Sequence, residues 1–237
     1  MPGSVLKAGA RKLIFENSPK LLIISVIYVV LVTVVFSFSV RMPIGIIWQD
    51  IVNSLTTGVY PDPGIITSAF RPAGVLLALL LFLLQPVLDV GFISYCLKIN
   101  RAQVTDFKDL LNGFLFITKV IALFIFSAIF VFLWSLLLVV PGIVASYRYR
   151  LAFYILIDDP GKGALQCIHE SKLLMHGKKL DLLTIDLSFI GWYILDFAIS
   201  LFTPLPFAFP IVSVWLSPYT GLTRAAFYEE QVAKIAV

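Results

Sequence analysis

Charge is scarce in this chain: Asp, Glu, Lys and Arg together make up 14% of its 237 residues, against 59% hydrophobic. Soluble domains carry about 25% charged and about 45–50% apolar residues, so a water-soluble fold of this length could not hide so much apolar surface. The mean hydropathy of +0.96 says the same. Cysteine is almost missing. Cys96 and Cys167 stand alone, without neighbours at ligand spacing, which excludes a zinc module and a disulfide framework. The two histidines, His169 and His176, lie beside Glu170 without an HExxH arrangement or further close ligands, so no metal is expected. GxSxG, P-loop and GxGxxG motifs are absent, and spacing alone assembles no Ser, His and acid set. The sequence therefore predicts no enzyme and no cofactor. Alternation is lacking as well, which excludes a membrane barrel.

What is present is a series of long uncharged runs. A backbone in lipid must satisfy its own hydrogen bonds, and such runs do so as helices. The expected fold is all-α, a polytopic membrane helix bundle of about six transmembrane helices with interfacial amphipathic helices, forming one domain over 1–237. The expected spans are 21–40, 73–97, 117–140, 143–157, 180–203 and 207–228, the fourth being short. Pro141 and Gly142 mark a helix break, because 117–157 as one helix would reach about 60 Å, twice the ~30 Å hydrocarbon core. Interfacial helices are expected at 4–16, where Leu6, Ala10, Leu13 and Ile14 share a face, and at 160–176 after an Asp159 N-cap. A short helix is also read around Ile47, Ile51, Val52 and Leu55, and Thr105 is read as the N-cap of FKDLLNGF.

The +4 net charge does not point to nucleic acid, because its Lys and Arg residues are spread over short loops. They sort by side instead. Lys7, Arg11, Lys12 and Lys20, then Lys98, Arg101, Lys108 and Lys119, then Lys162, Lys172, Lys178 and Lys179, then Arg224 and Lys234 fall on one face of the predicted topology, leaving Arg41 and Arg71 opposite. By the positive-inside rule this is a plasma-membrane protein with both termini cytoplasmic.

A few charges interrupt the apolar runs: Arg148, Arg150, Asp196, Asp89 and Asp186, with Gln85 one helical turn before Asp89. An ion at the bilayer centre costs on the order of 2.5–3.5 kcal/mol, so these groups need partners in an intramembrane polar network. Matched depth favours an Arg148–Asp196 pair. Such a network is either a solute pathway or a set of ion pairs fixing helix register. Lys7, Arg11, Lys12, Lys162, Lys172, Lys178 and Lys179 offer a candidate surface for anionic lipid, though orientation signals alone have the same form.

The phrases LWSLLLVVPGI at 133–143, YRLAFYILIDDP at 149–160, HESKLLMHGKK at 169–179, LDLLTIDLSFIGW at 180–192 and WLSPYTGLTRAAFY at 215–228 come in one order. With NGF at 112–114 they resemble the bacterial domain-of-unknown-function nine-seven-five family of integral membrane proteins, over nearly the whole chain. The resemblance implies a bacterial plasma-membrane protein and no catalytic residues to carry over. The long 41–72 segment and the PLPFAFP turn depart from the family pattern. A more distant likeness, through the Pro-Gly break, is to the membrane domain of some glycerophosphodiester phosphodiesterases. The leading expectation is a non-enzymatic module that binds membrane lipids or a partner membrane protein. The alternatives are a small-solute transporter or channel using the Arg/Asp site and a lipid-modifying enzyme around Asp186 and His169.

Overall fold

The computed structural model describes residues 3–36, 52–58, 72–202 and 210–235, all of which are helix, turn or irregular segment without a strand. Ten helices follow in order: α1 (Gly3–Asn17), α2 (Lys20–Phe36), α3 (Pro72–Asn100), α4 (Ile117–Leu137), α5 (Val139–Arg148), α6 (Ala152–Asp158), α7 (Ala164–Leu174), α8 (Lys179–Leu187), α9 (Ile190–Phe202) and α10 (Ile211–Ile235). A 3-10 turn at Phe107–Leu111 and a one-turn helix at Asn112–Leu115 lie between α3 and α4. The fold is all-α. Of the short helix expected from Ile47 to Leu55, Val52 and Leu55 fall in a described helical stretch, 52–57, and Ile47 and Ile51 lie outside the described residues. Most of the 204–210 turn lies outside them as well.

Among the described residues, three helices are long and apolar enough to cross a membrane: Val75–Asn100, Ile117–Leu137 and Lys179–Ile199. The pair α1–α2, bent by 103°, would make a fourth. Two of the six expected spans therefore lack a qualifying helix. The 143–157 run is divided between α5 and α6, and the 211–228 part of the 207–228 run belongs to α10, which also carries Arg224, Glu229 and Glu230. Outward-facing side chains on the qualifying helices are strongly apolar, including Leu76, Leu79, Phe132, Leu136, Ile194 and Phe197. Water would not tolerate so continuous a surface, and hydrocarbon would.

The core forms where α3 and α10 cross. The second half of α3 buries Val87, Val90, Phe92, Tyr95, Cys96 and Leu97, and α10 buries Leu216, Tyr219, Leu222, Ala225 and Phe227 against it. α1 lays Leu6, Ala10 and Ile14, spaced one turn apart, onto the α10 side of this core. The 107–115 segment approaches α3 backbone to backbone. A Cβ on Gly91 would lie 1.9 Å from the Leu110 carbonyl oxygen, and one on Gly113 would lie 2.1 Å from that of Val87. Only glycine fits at such a contact.

Three local expectations are corrected by the geometry. The chain does break between α4 and α5, but at Leu138, which is extended (φ −165°, ψ 156°), and not at Pro141 and Gly142. Pro141 sits in the first turn of α5, where backbone N–H groups have no intrahelical acceptor, so the missing donor costs nothing. Gly142 is where α5 folds back on α4: a Cβ there would be 2.1 Å from Ser135 Oγ. The cap of the 3-10 turn is Asp106, in a reciprocal capping box with Asp109, rather than Thr105. Asp159 bonds the Gly161 N–H at 3.0 Å in a local turn, and the following helix begins only at Ala164 with Gly163 as its N-cap. α7 is not a separate surface helix. It packs along α6 and α4, and its buried Ser171 donates to the Arg148 carbonyl at 2.9 Å.

Two glycines give stability changes of opposite sign. Gly91→Ala forces the Leu110 backbone to move and is expected to cost roughly 1–3 kcal/mol, whereas Gly9→Ala, with nothing within 4 Å of the new Cβ, should stabilise α1 by roughly 0.5–1 kcal/mol. Thermal unfolding in detergent reads both, and a neutral Gly91→Ala would refute the close approach.

Candidate functional site

The sequence placed five charges in apolar runs and favoured one pairing among them, Arg148 with Asp196, and the fold gives most of them local partners. Asp186 on α8 accepts from Arg224 of α10 (Nε at 3.0 Å, Nη2 at 2.9 Å) and from the Tyr147 hydroxyl of α5 at 3.1 Å. One carboxylate thus ties three helices. Asp89 on α3 accepts from the Tyr28 hydroxyl of α2 at 2.7 Å, and the Tyr28 ring stacks on Phe92 at 4.2 Å. Asp196 does not meet Arg148. Its carboxylate accepts the Val212 N–H at 3.1 Å and the Ser213 hydroxyl at 2.6 Å, capping the first turn of α10. A helix N-terminus offers several unbonded N–H groups and a partial positive charge, and it lies closer to Asp196 along the α9–α10 connection than either arginine does.

Arg150 is different. It sits in the three-residue break between α5 and α6, exposed, and among the described residues its guanidinium has neither an ion pair nor a hydrogen bond. It lines a cavity of about 580 Å³ together with Asp89, Gln85, Arg224, Ser127 and a set of aromatic rings that includes Tyr28, Phe92, Tyr154 and Tyr193. Ser127 lies midway along the 21-residue α4, roughly 15 Å from either end at 1.5 Å per residue. The cavity is therefore at mid-height of a helix that is long enough to span a bilayer. Ser127 Oγ is buried without a hydrogen-bond partner. Pro86 lines the cavity from inside α3, and Pro218 lies inside α10 beside the lining residue Ser217. Each proline leaves an upstream carbonyl without its intrahelical donor. The site is thus bordered by two proline-bearing helices and by the α5–α6 break. Arg148, half-buried at the end of α5, is absent from the lining, and only its carbonyl is engaged.

Below Tyr154 the bundle is fastened at one end. Arg101 grips Asp158 with both terminal nitrogens (2.8 and 2.9 Å) and Glu229 through Nε at 2.8 Å, and the Tyr228 hydroxyl donates to Asp158 at 2.7 Å. These bonds push the Arg101 pKa above its ordinary value, the Asp158 hydrogen bond contributing most. The clasp joins the ends of α3, α6 and α10. Lys119, at the start of α4, donates to the Pro160 carbonyl, so the Leu138 turn lies at the opposite end of the bundle from this clasp.

The seven cations read as a lipid surface are mostly engaged within the protein. Lys7 lies over the Phe189 ring at 5.0 Å, Arg11 donates to the Tyr219 hydroxyl at 3.5 Å, and Lys12 faces Glu16 at 3.6 Å. Lys162 bonds Glu170 at 2.8 Å, which raises its pKa, and Lys178 bonds Asp181 at 3.2 Å. Lys172 lies over the Tyr149 ring at 5.8 Å. Lys179 begins α8. No group of three or more His, Cys, Asp or Glu that could hold a metal occurs among the described residues.

Sequence reasoning placed Asp89, Gln85 and Arg150 at one site and missed Arg224, whose position near the end of a run read as an orientation signal. It also missed Ser127, which nothing in a run of apolar residues distinguishes. Arg224→Gln is expected to cost roughly 2–4 kcal/mol by stranding the Asp186 charge, and a paired Arg224→Met, Asp186→Leu replacement should recover most of it. A double-mutant cycle on thermal stability checks this; additive losses would mean the two groups are not coupled.

No curated protein and no solved structure matches the chain. The comparisons show nothing of the more distant likeness to the glycerophosphodiester phosphodiesterase membrane domain. Residues 136–234 match the model of a family described as protein of unknown function (DUF975), a segment that runs from the end of α4 to the end of α10 and contributes Arg150 and Arg224 to the cavity. Over that segment the chain is similar to the DUF975 family.

Proposed function

We propose that this protein is a bacterial plasma-membrane binding protein of carrier type, not an enzyme, which takes a small charged molecule or headgroup into its central cavity with Arg150 as the anchor. The observation that carries this reading is the contrast among the deep charges. Arg224, Asp186, Asp89 and Asp196 all have protein partners; among the described residues neither Arg148 nor Arg150 has a side-chain partner, and of these two only Arg150 lines the cavity. A guanidinium at mid-depth without a counter-ion costs several kcal/mol, which a ligand anion would offset. The lining supports binding too, because it joins a few polar groups to many rings at a volume within the ~300–1,000 Å³ range of ligand sites. A helix break at mid-depth, such as that between α5 and α6, is one way membrane carriers expose backbone and side-chain donors to a solute.

The expected cationic lipid surface has less support than the cavity, since most of its residues already have partners. A lipid headgroup remains a suitable ligand for the cavity itself. Both termini on the cytoplasmic side is part of the proposal and follows from the distribution of Lys and Arg.

The test is recovery of bound small molecules from purified full-length protein by mass spectrometry. Arg148→Gln, outside the lining, should retain the co-purifying ligand at the wild-type level. Arg150→Gln should lose it by ten-fold or more. Equal recovery from both variants, or recovery from neither and none from the wild type, overturns the reading.

A further inference from the structure

The cavity holds two opposite charges that do not neutralise one another. Asp89 and Arg150 both line it, on α3 and in the α5–α6 break, and among the described residues no ion pair joins them. Asp89 gives one oxygen to Tyr28 and has its other free of any described donor. Gln85, one turn earlier on the same helix, has no described hydrogen-bond partner for its amide. Ser127 Oγ, also in the lining, is buried and has no described hydrogen-bond partner.

A purely anionic ligand would satisfy Arg150 and be repelled by Asp89. A purely cationic one would meet the reverse. Both charges are satisfied at once by a molecule carrying the two signs a few atoms apart. Alkylammonium groups are also held by aromatic faces, and Tyr28, bonded to Asp89, and Phe92, stacked on Tyr28, supply these beside the carboxylate. We infer that the ligand is a zwitterion: its phosphate or carboxylate lies against the Arg150 guanidinium and the Ser127 hydroxyl, and its ammonium against Asp89, Gln85 and the surrounding rings. This rests on the binding function proposed above and specifies its substrate class. The same chemistry belongs to the headgroup of a zwitterionic phospholipid and to a free amphoteric solute.

The experiment uses the full chain in detergent and measures binding of four probes by isothermal titration. Dioctanoyl phosphatidylethanolamine carries both charges, dioctanoyl phosphatidylglycerol the anion alone, octylamine the cation alone, and glycerophosphoethanolamine the zwitterion without tails. Wild-type protein is expected to bind the zwitterionic lipid at least ten-fold tighter than either singly charged probe. Asp89→Asn should erase that preference by weakening the zwitterion and, with the repulsion removed, tightening phosphatidylglycerol. Arg148→Gln, outside the lining, should keep the preference and controls for the effect of losing a neighbouring cation. Arg150→Gln should weaken both phospholipids. Glycerophosphoethanolamine binding as tightly as the lipid identifies a free solute as the ligand, and failure of it alone identifies a bilayer headgroup. Phosphatidylglycerol binding as tightly as the zwitterion in the wild type overturns the inference whether or not the Asp89 variant folds, while the binding function survives. No probe binding, or full binding to Arg150→Gln, overturns both.

Discussion

The structure depends on one carboxylate in an apolar setting. Asp186 accepts from Arg224 on α10 and Tyr147 on α5 while belonging to α8, so three helices that are distant in sequence are held in one register. Hydrophobic burial cannot do this job where the surroundings are equally apolar on every side, because sliding one greasy helix past another changes little in free energy. A charge-assisted bond does discriminate, since a shift of one turn would strand a guanidinium and a carboxylate together. The same logic accounts for Asp196 on the α10 N-terminus and for Asp89 beside Tyr28. Each carboxylate fixes a helix against a neighbour that apolar packing alone would leave free to drift.

Against that background the cavity is a place where the fold declines to pair its charges. Arg150 lies in a break, and a break is where a helix offers backbone and side chains sideways instead of along its own axis. The Arg101–Asp158–Glu229 clasp and the Tyr154–Tyr228 ring contact at 5.2 Å lie one turn further along α6 and α10. They fasten one end of the bundle tightly, and the cavity above them stays open. The contrast between a fully paired end and an incompletely paired middle is the physical basis of the functional reading.

Much of this was legible from residue order. The uncharged runs located α2, α3, α4 and the α8–α9 unit, and the four-residue spacing of Gln85 and Asp89 placed both on one face, which proves to be the cavity face. The turn after α4 was found within three residues through Pro141 and Gly142, although the break itself falls on Leu138, a residue with no punctuating character. What failed was pairing. Matched depth nominated Arg148 for Asp196, but depth ignores the free N–H groups at a helix start, which compete for any carboxylate within reach. Arg224 was passed over because a cation near a helix end serves orientation as readily as pairing. The 143–157 run was read as one helix because it is apolar enough, and only the three-dimensional packing reveals that it bends at Tyr149–Leu151.

The Asp196 cap has a mechanical corollary. Because this side chain on α9 holds the first turn of α10, the two helices cannot pivot separately at that end; they behave as a single lever whose other arm is anchored through Glu229 to the clasp. Access to the interior then has to come from the opposite wall. The chain between α5 and α6 supplies a natural flexure, and Arg150 stands on it, so under the proposed function a ligand that neutralises that guanidinium also stiffens this joint.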